Sequence, residues 1–184
     1  MAKKHNVLLD LDNTIISSLS REEEKKSHYG KFKKFTWENM DGQFKVFQRP
    51  GLQEFLDFLF ENFNVSVWTA ASKSYALFII NNFILIEPDR KLDHIFFSYH
   101  CRESIKLLDS QKDLQMLWTK FNLGDTYGVN NTYIIDDNPE VYDAQPSQCI
   151  RVYPFEFLDR KSFADDELLT SVKPKLERIL GDKK

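Results

Sequence analysis

Apolar residues fall in short blocks along this chain, and their spacing changes from block to block. Val7-Leu8-Leu9 is a continuous run too short for a helix and rich in branched residues, which predicts a parallel strand covered on both faces. Similar runs return at Val65-Ser66-Val67-Trp68, His94-Ile95-Phe96-Phe97-Ser98-Tyr99, Thr132-Tyr133-Ile134-Ile135 and Cys149-Ile150-Arg151-Val152-Tyr153. Between them the period becomes helical. Leu52, Phe55, Leu56, Leu59 and Phe63 share one face of a helix that Pro50 is suited to begin. Ser72 can cap a second helix over residues 73–83. Lys112 stands at the start of a third, carried by Leu114, Leu117, Trp118 and Phe121. Residues 165–180 are amphipathic, and Pro174 should kink or divide them. Strands alternating with helices, joined by crossovers long enough to hold them, predict a doubly wound parallel α/β sheet.

One region breaks that alternation. Phe32, Phe35 and Trp37 are interleaved with Lys31, Lys33 and Lys34, and Asp41-Gly42 is a strong type I′ turn signal before Phe44-Lys45-Val46-Phe47. Residues 32–48 therefore read as an antiparallel hairpin inserted beside the first strand. Its basic-aromatic mix suits either a substrate-docking surface or lysines that protect an exposed strand edge. The preceding charge-dense stretch, residues 21–26, reads as a solvated loop or a short exposed helical turn.

Length and charge narrow the classes. The 184 residues are 42% hydrophobic and 29% charged, which suits one soluble domain spanning residues 1–184. A net charge of -3 gives no support for wholesale nucleic-acid or acidic-membrane binding. Cys101 and Cys149 lack CxxC spacing and read as buried, reduced thiols of an intracellular protein, nuclear or cytoplasmic. The start leads into only three apolar residues, so no secretory signal is expected, and no run approaches membrane-spanning length.

The chemistry gathers where strands end. Val7-Leu8-Leu9 runs into Asp10-Leu11-Asp12-Asn13-Thr14, and Ile134-Ile135 runs into Asp136-Asp137. In open α/β sheets ligands bind outside the carboxyl ends of the strands. Two unpaired carboxylates facing one apolar core would be costly, so the first strand should end at Asp10 and loop over. Thr69 follows the second strand, and Lys112 belongs on the same rim. Clustered oxygen ligands need a cation and suit Mg²⁺, with Asp10, Asp136 and the main-chain carbonyl of Asp12 as its natural ligands. A hydroxyl and an ammonium suit phosphate oxygens. Read singly, Thr69 is a cap or turn residue, Lys112 a solvated helix lysine, and Asp137-Asn138-Pro139 a turn. Their order along one sheet points instead to phosphoryl transfer: Asp10 as nucleophile, Asp12 as general acid and base, Thr69 and Lys112 on the phosphate.

Asp10-Leu11-Asp12-Asn13-Thr14 resembles the first motif of the haloacid dehalogenase (HAD) superfamily. More narrowly, the chain resembles phosphatases of the RNA polymerase II C-terminal domain, including the small NLI-interacting-factor-like type. The resemblance runs from about Val7 to Leu180. It includes Arg49-Pro50-Gly51-Leu52, Trp68-Thr69-Ala70-Ala71, Lys112-Asp113-Leu114, Ile135-Asp136-Asp137-Asn138-Pro139 and Asp166-Glu167-Leu168-Leu169. It implies a Rossmann-like, HAD-type fold with no large cap domain. It also implies Mg²⁺-dependent hydrolysis of phosphoserine or phosphothreonine in a flexible, proline-containing peptide such as the polymerase repeats. The roles it implies for Asp10, Asp12, Thr69, Lys112 and Asp136 agree with those above, and Asp137 would support the acids. Asn13 stands where many members have Glu, and the stretch from Lys112 to Asp136 is longer than in the small phosphatases. That longer stretch resembles the ubiquitin-like-domain-containing members. Two other readings share the fold: a non-catalytic binding protein, and a phosphatase of nucleic-acid ends or small metabolites.

Overall fold

The computed structural model describes residues 5–26, 35–159 and 166–181. Its centre is a five-stranded parallel sheet: β1 (Asn6–Leu9), β5 (Asn64–Trp68), β6 (Ile95–Phe96), β7 (Thr132–Asp136) and β8 (Cys149–Arg151), in spatial order β6-β5-β1-β7-β8. The continuous apolar runs are explained by two separate cores. Val7, Leu9, Val65, Val67 and Ile135 face one, and Leu8, Trp68 and Ile134 face the other. Helix α2 (Leu52–Asn62), helix α3 (Lys73–Ile79) and the C-terminal helix α7 (Lys173–Gly181) bury apolar side chains in the first core. Helices α4 (Ser98–Leu108), α5 (Gln115–Thr119) and α6 (Pro139–Ala144) do so in the second.

The chain leaves β1 toward β5 and β6, then returns to β1's other side with β7 and β8. The strand order therefore reverses between β1 and β7, where such folds open a crevice. Register aligns the two acid-bearing strands: Leu9 lies opposite Ile135, and the Asp10 amide donates to the Ile135 carbonyl at 3.0 Å.

The expected hairpin is real but belongs to something larger. β3 (Trp37–Met40) and β4 (Phe44–Gln48) are antiparallel across Asp41-Gly42, both with positive φ (48° and 69°), as a type I′ turn demands. A further strand, β2 (Ile16–Ser20), pairs with β4 and completes a three-stranded sheet in the order β2-β4-β3. Its Ile16-Ser17-Ser18-Leu19-Ser20 pattern is too polar to announce a strand; pairing with Phe44–Gln48 creates it. Beneath this sheet Leu19, Phe35, Phe47, Phe155 and Phe157 form a separate small core, with Phe47 stacked on Phe157 at 3.8 Å between centroids. Lys31 to Lys34 lie outside the described residues, whereas residues 21–26 form a short helix, α1 (Arg21–Lys26).

Four local expectations shift. The third parallel strand is only Ile95–Phe96, because Ser98 and Tyr99 already begin α4. Lys112 is not at a helix start but in a left-handed turn (φ 50°), three residues before α5. Asn138 does more than turn the chain: its side chain caps α6 by accepting from the Glu140 amide, with Pro139 in the first turn. Pro174 lies in the first turn of α7, and π-helical residues Leu168–Val172 precede it. Among the described residues no helix is long and apolar enough to cross a membrane.

Candidate active site

Five side chains expected to act together do meet. Asp10, Asp12, Thr69, Lys112 and Asp136, with Asp137, line one cleft of about 290 Å³ at the carboxyl rim of the parallel sheet. Asp10 follows β1, Asp136 ends β7 and Thr69 follows β5, so three neighbouring strands deliver them.

The buried Lys112 ammonium is the hub. It donates to Asp10 Oδ1 at 2.5 Å and to Asp136 Oδ2 at 2.7 Å. Burial opposes its charge, yet the two carboxylates more than offset that, and its pKa lies above the ordinary lysine value. The left-handed backbone that aims Lys112 inward is held by Gln145. This buried side chain donates to the Lys112 carbonyl at 2.9 Å and accepts from the Leu114 amide at 3.0 Å.

The acids differ in their surroundings. Burial, together with the charges of Asp10 and Asp137, pushes the Asp12 carboxyl up to about 6 despite a hydrogen bond from Tyr75. Burial and Asp10 also raise Asp136 and Asp137. Thr14 Oγ1 donates to Asp10 Oδ2 at 3.0 Å and lies 3.3 Å from Asp137 Oδ1. The Asn138 amide donates to Asp136 Oδ1 at 2.9 Å. Thr69 is buried, and its hydroxyl accepts from the Ala71 amide at 3.0 Å, which directs its proton elsewhere.

The donor set fits a hard cation. One carboxylate oxygen each from Asp10, Asp136 and Asp137 lies within 4.8 Å of the others. Few carboxylates completed by water are what Mg²⁺ takes. Asp137 thus joins the cluster as a third acid. The Asp12 carboxylate is outside it, engaged by the Tyr75 hydroxyl at 2.7 Å, and the ligand expected of Asp12 was its main-chain carbonyl.

Sequence reasoning missed four residues. Thr14 stood inside the first motif but had no assigned role. Tyr75 reads as an ordinary residue of α3, and Gln145 gives no signal. Arg49 precedes Pro50-Gly51 and is wholly buried. Its guanidinium donates to the Thr14 carbonyl and to Glu167 Oε2, both at 2.8 Å, while the Glu167 carboxylate also accepts from the Tyr153 amide. A buried arginine thereby ties the loop after Asp10 to the C-terminal segment.

The description "NLI interacting factor-like phosphatase" fits residues 5–184. The CTD phosphatase-like protein 355R of Invertebrate iridescent virus 6 is 43% identical over 176 residues, 89% of this chain and 93% of that protein. Its counterpart in Invertebrate iridescent virus 3 is 39% identical over 175 residues, 91% and 92% of the two chains. The fold matches that of fission yeast RNA polymerase II CTD phosphatase Fcp1, solved with beryllium fluoride, at a TM-score of 0.57 and 22% identity. That match covers 97% of this chain but 50% of Fcp1, so the chain spans about half the length of that phosphatase. At that identity the likeness concerns the fold, a Rossmann-like HAD architecture.

Proposed function

We propose that this chain, which belongs to the NLI interacting factor-like phosphatase family, is a Mg²⁺-dependent protein serine/threonine phosphatase working through a phosphorylated Asp10. The observation that carries the reading is Lys112 between Asp10 and Asp136, with Asp12 and Thr69 lining the same cleft.

Asp10 attacks phosphorus in line, and the bond to the seryl or threonyl oxygen breaks. Asp12 gives its proton to that oxygen, then takes one from the water that cleaves the acyl phosphate. The raised pKa of Asp12 suits the acid role, since burial favours its neutral form. Lys112 and the Thr69 hydroxyl hold the phosphoryl oxygens and offset their charge. Asp10, Asp136 and Asp137, with the Asp12 main-chain carbonyl, would hold Mg²⁺. Bound there, the ion supplies charge stabilisation to the transferring group and holds it in place.

The cleft opens at the sheet's rim, and no large cap stands among the described residues, which suits an extended peptide better than a metabolite. The substrate we favour is phosphoserine in a flexible, proline-containing segment, such as the RNA polymerase II C-terminal repeats. An intracellular setting, nuclear or cytoplasmic, agrees with two buried free cysteines.

Hydrolysis of p-nitrophenyl phosphate with and without Mg²⁺ tests the reading. Wild type should require the ion, and Asp10→Asn, folded by circular dichroism, should lose about 10³-fold or more in kcat/KM. A folded wild type inactive across pH and divalent metals would overturn the reading.

A further inference from the structure

Among the described residues, the Asp12 carboxylate has one hydrogen-bond partner, and it lies outside the motifs that carry the chemistry. Tyr75 stands on α3, one turn past the Ser72 cap, and its hydroxyl donates to Asp12 Oδ1 at 2.7 Å. The phenol is itself held from the antiparallel sheet. Phe44 of β4 meets the ring edge-on, with centroids 5.4 Å apart and planes at 75°.

We propose that Tyr75 is a positioning residue for proton delivery: it fixes one oxygen of Asp12 and leaves the other to serve the departing seryl or threonyl oxygen. The assignment rests on the phosphatase reading. A carboxyl on a short side chain turns about its last bond unless one of its oxygens is held. The Tyr75 phenol holds one of them. As the bond from Asp10 to phosphorus forms, the bond to the leaving oxygen breaks with its electron pair on that oxygen. The proton on Asp12 moves there, and Asp12 becomes a carboxylate. The Tyr75 hydrogen bond is then charge-assisted, so it strengthens as the proton leaves. Stabilisation that grows along the reaction accelerates it, whereas equal stabilisation of the start would not. Through Phe44 the antiparallel sheet thereby sets the direction of an acid on the parallel sheet's rim.

The leaving group makes this testable. A serine alkoxide needs a proton as it departs, and a nitrophenolate does not. With Mg²⁺ present, kcat/KM reports the steps through leaving-group release. Tyr75→Phe should lower this value for a phosphoserine peptide by about 10-fold or more, in kcat rather than KM, while p-nitrophenyl phosphate changes less than about 2-fold. Phe44→Leu, which keeps the phenol and removes its edge-on neighbour, should show a smaller loss with the same selectivity, and it carries the test if Tyr75→Phe folds poorly. Equal losses on both esters, a loss confined to KM, or no loss would overturn the assignment. An inactive wild type would instead overturn the phosphatase reading, and this assignment with it.

Discussion

The five-stranded parallel sheet is covered on both faces and sends its acids to one rim, whereas the three-stranded antiparallel sheet leaves most of β3 in solvent. Trp37 at the start of β3 is 40% exposed, with the Lys45 ammonium 5.1 Å above its ring. Lys45 in turn pairs with Glu24 of α1. The contrast separates two tasks. A doubly covered strand cannot slip its register without exposing apolar residues, so it places Asp10 against Asp136 rigidly. An edge strand mostly in water tolerates change, and we propose that this one serves as a wall that selects substrates.

The largest effect should come from the rim of the parallel sheet. Lys112→Met leaves Asp10 and Asp136 buried without their cation, and should cost about 3–5 kcal/mol in urea unfolding with chelator at pH 7.5. The cost should shrink on acidification, as the carboxyls protonate, and on adding Mg²⁺. A loss independent of both would mean that packing, not charge, holds this rim.

Asp12→Asn should move stability the opposite way. The folded pKa of Asp12 is about 6 against 3.8 for a free aspartate, so protonation favours the folded state. That contribution is complete below about pH 4 and is lost as pH rises through about 6. In metal-free protein at pH 7.5, Asp12→Asn should therefore be more stable than wild type, by on the order of 2 kcal/mol, though poorly active. The two melting curves should converge near pH 4. A destabilised variant at pH 7.5 would contradict the burial argument.

Smaller effects belong to the junction and to the small sheet. Gly51 links β4 to α2 with φ 73°, and a Cβ there would lie 2.9 Å from Leu169 Cδ1. Gly51→Ala should lower stability by about 1–2 kcal/mol, read as a lower urea midpoint with unchanged slope. Trp37→Ala should change stability by less than about 1 kcal/mol. It should raise KM for a phosphopeptide and leave p-nitrophenyl phosphate untouched. An unchanged peptide KM would make the basic-aromatic edge a guard against strand pairing, and the separation of tasks would weaken.

Much of this molecule could be read from residues close together in sequence. Val7-Leu8-Leu9 before Asp10, and Ile134-Ile135 before Asp136, announce buried strands that end in acids, because burial on both faces demands unbroken apolar runs and a carboxylate cannot continue them. Asp41-Gly42 announces its turn because few residue pairs accept two positive φ values. What only the tertiary structure decided lies between distant segments. β2 exists because β4 pairs with it, Lys112 reaches Asp10 across 102 positions, and Arg49 joins Thr14 to Glu167. Tyr75 meets Asp12 because α3 returns over the loop that follows β1. Local pattern records whether a side chain is buried. Which charge or hydroxyl compensates it is settled when the chain closes on itself, since many polar residues could serve and geometry admits one.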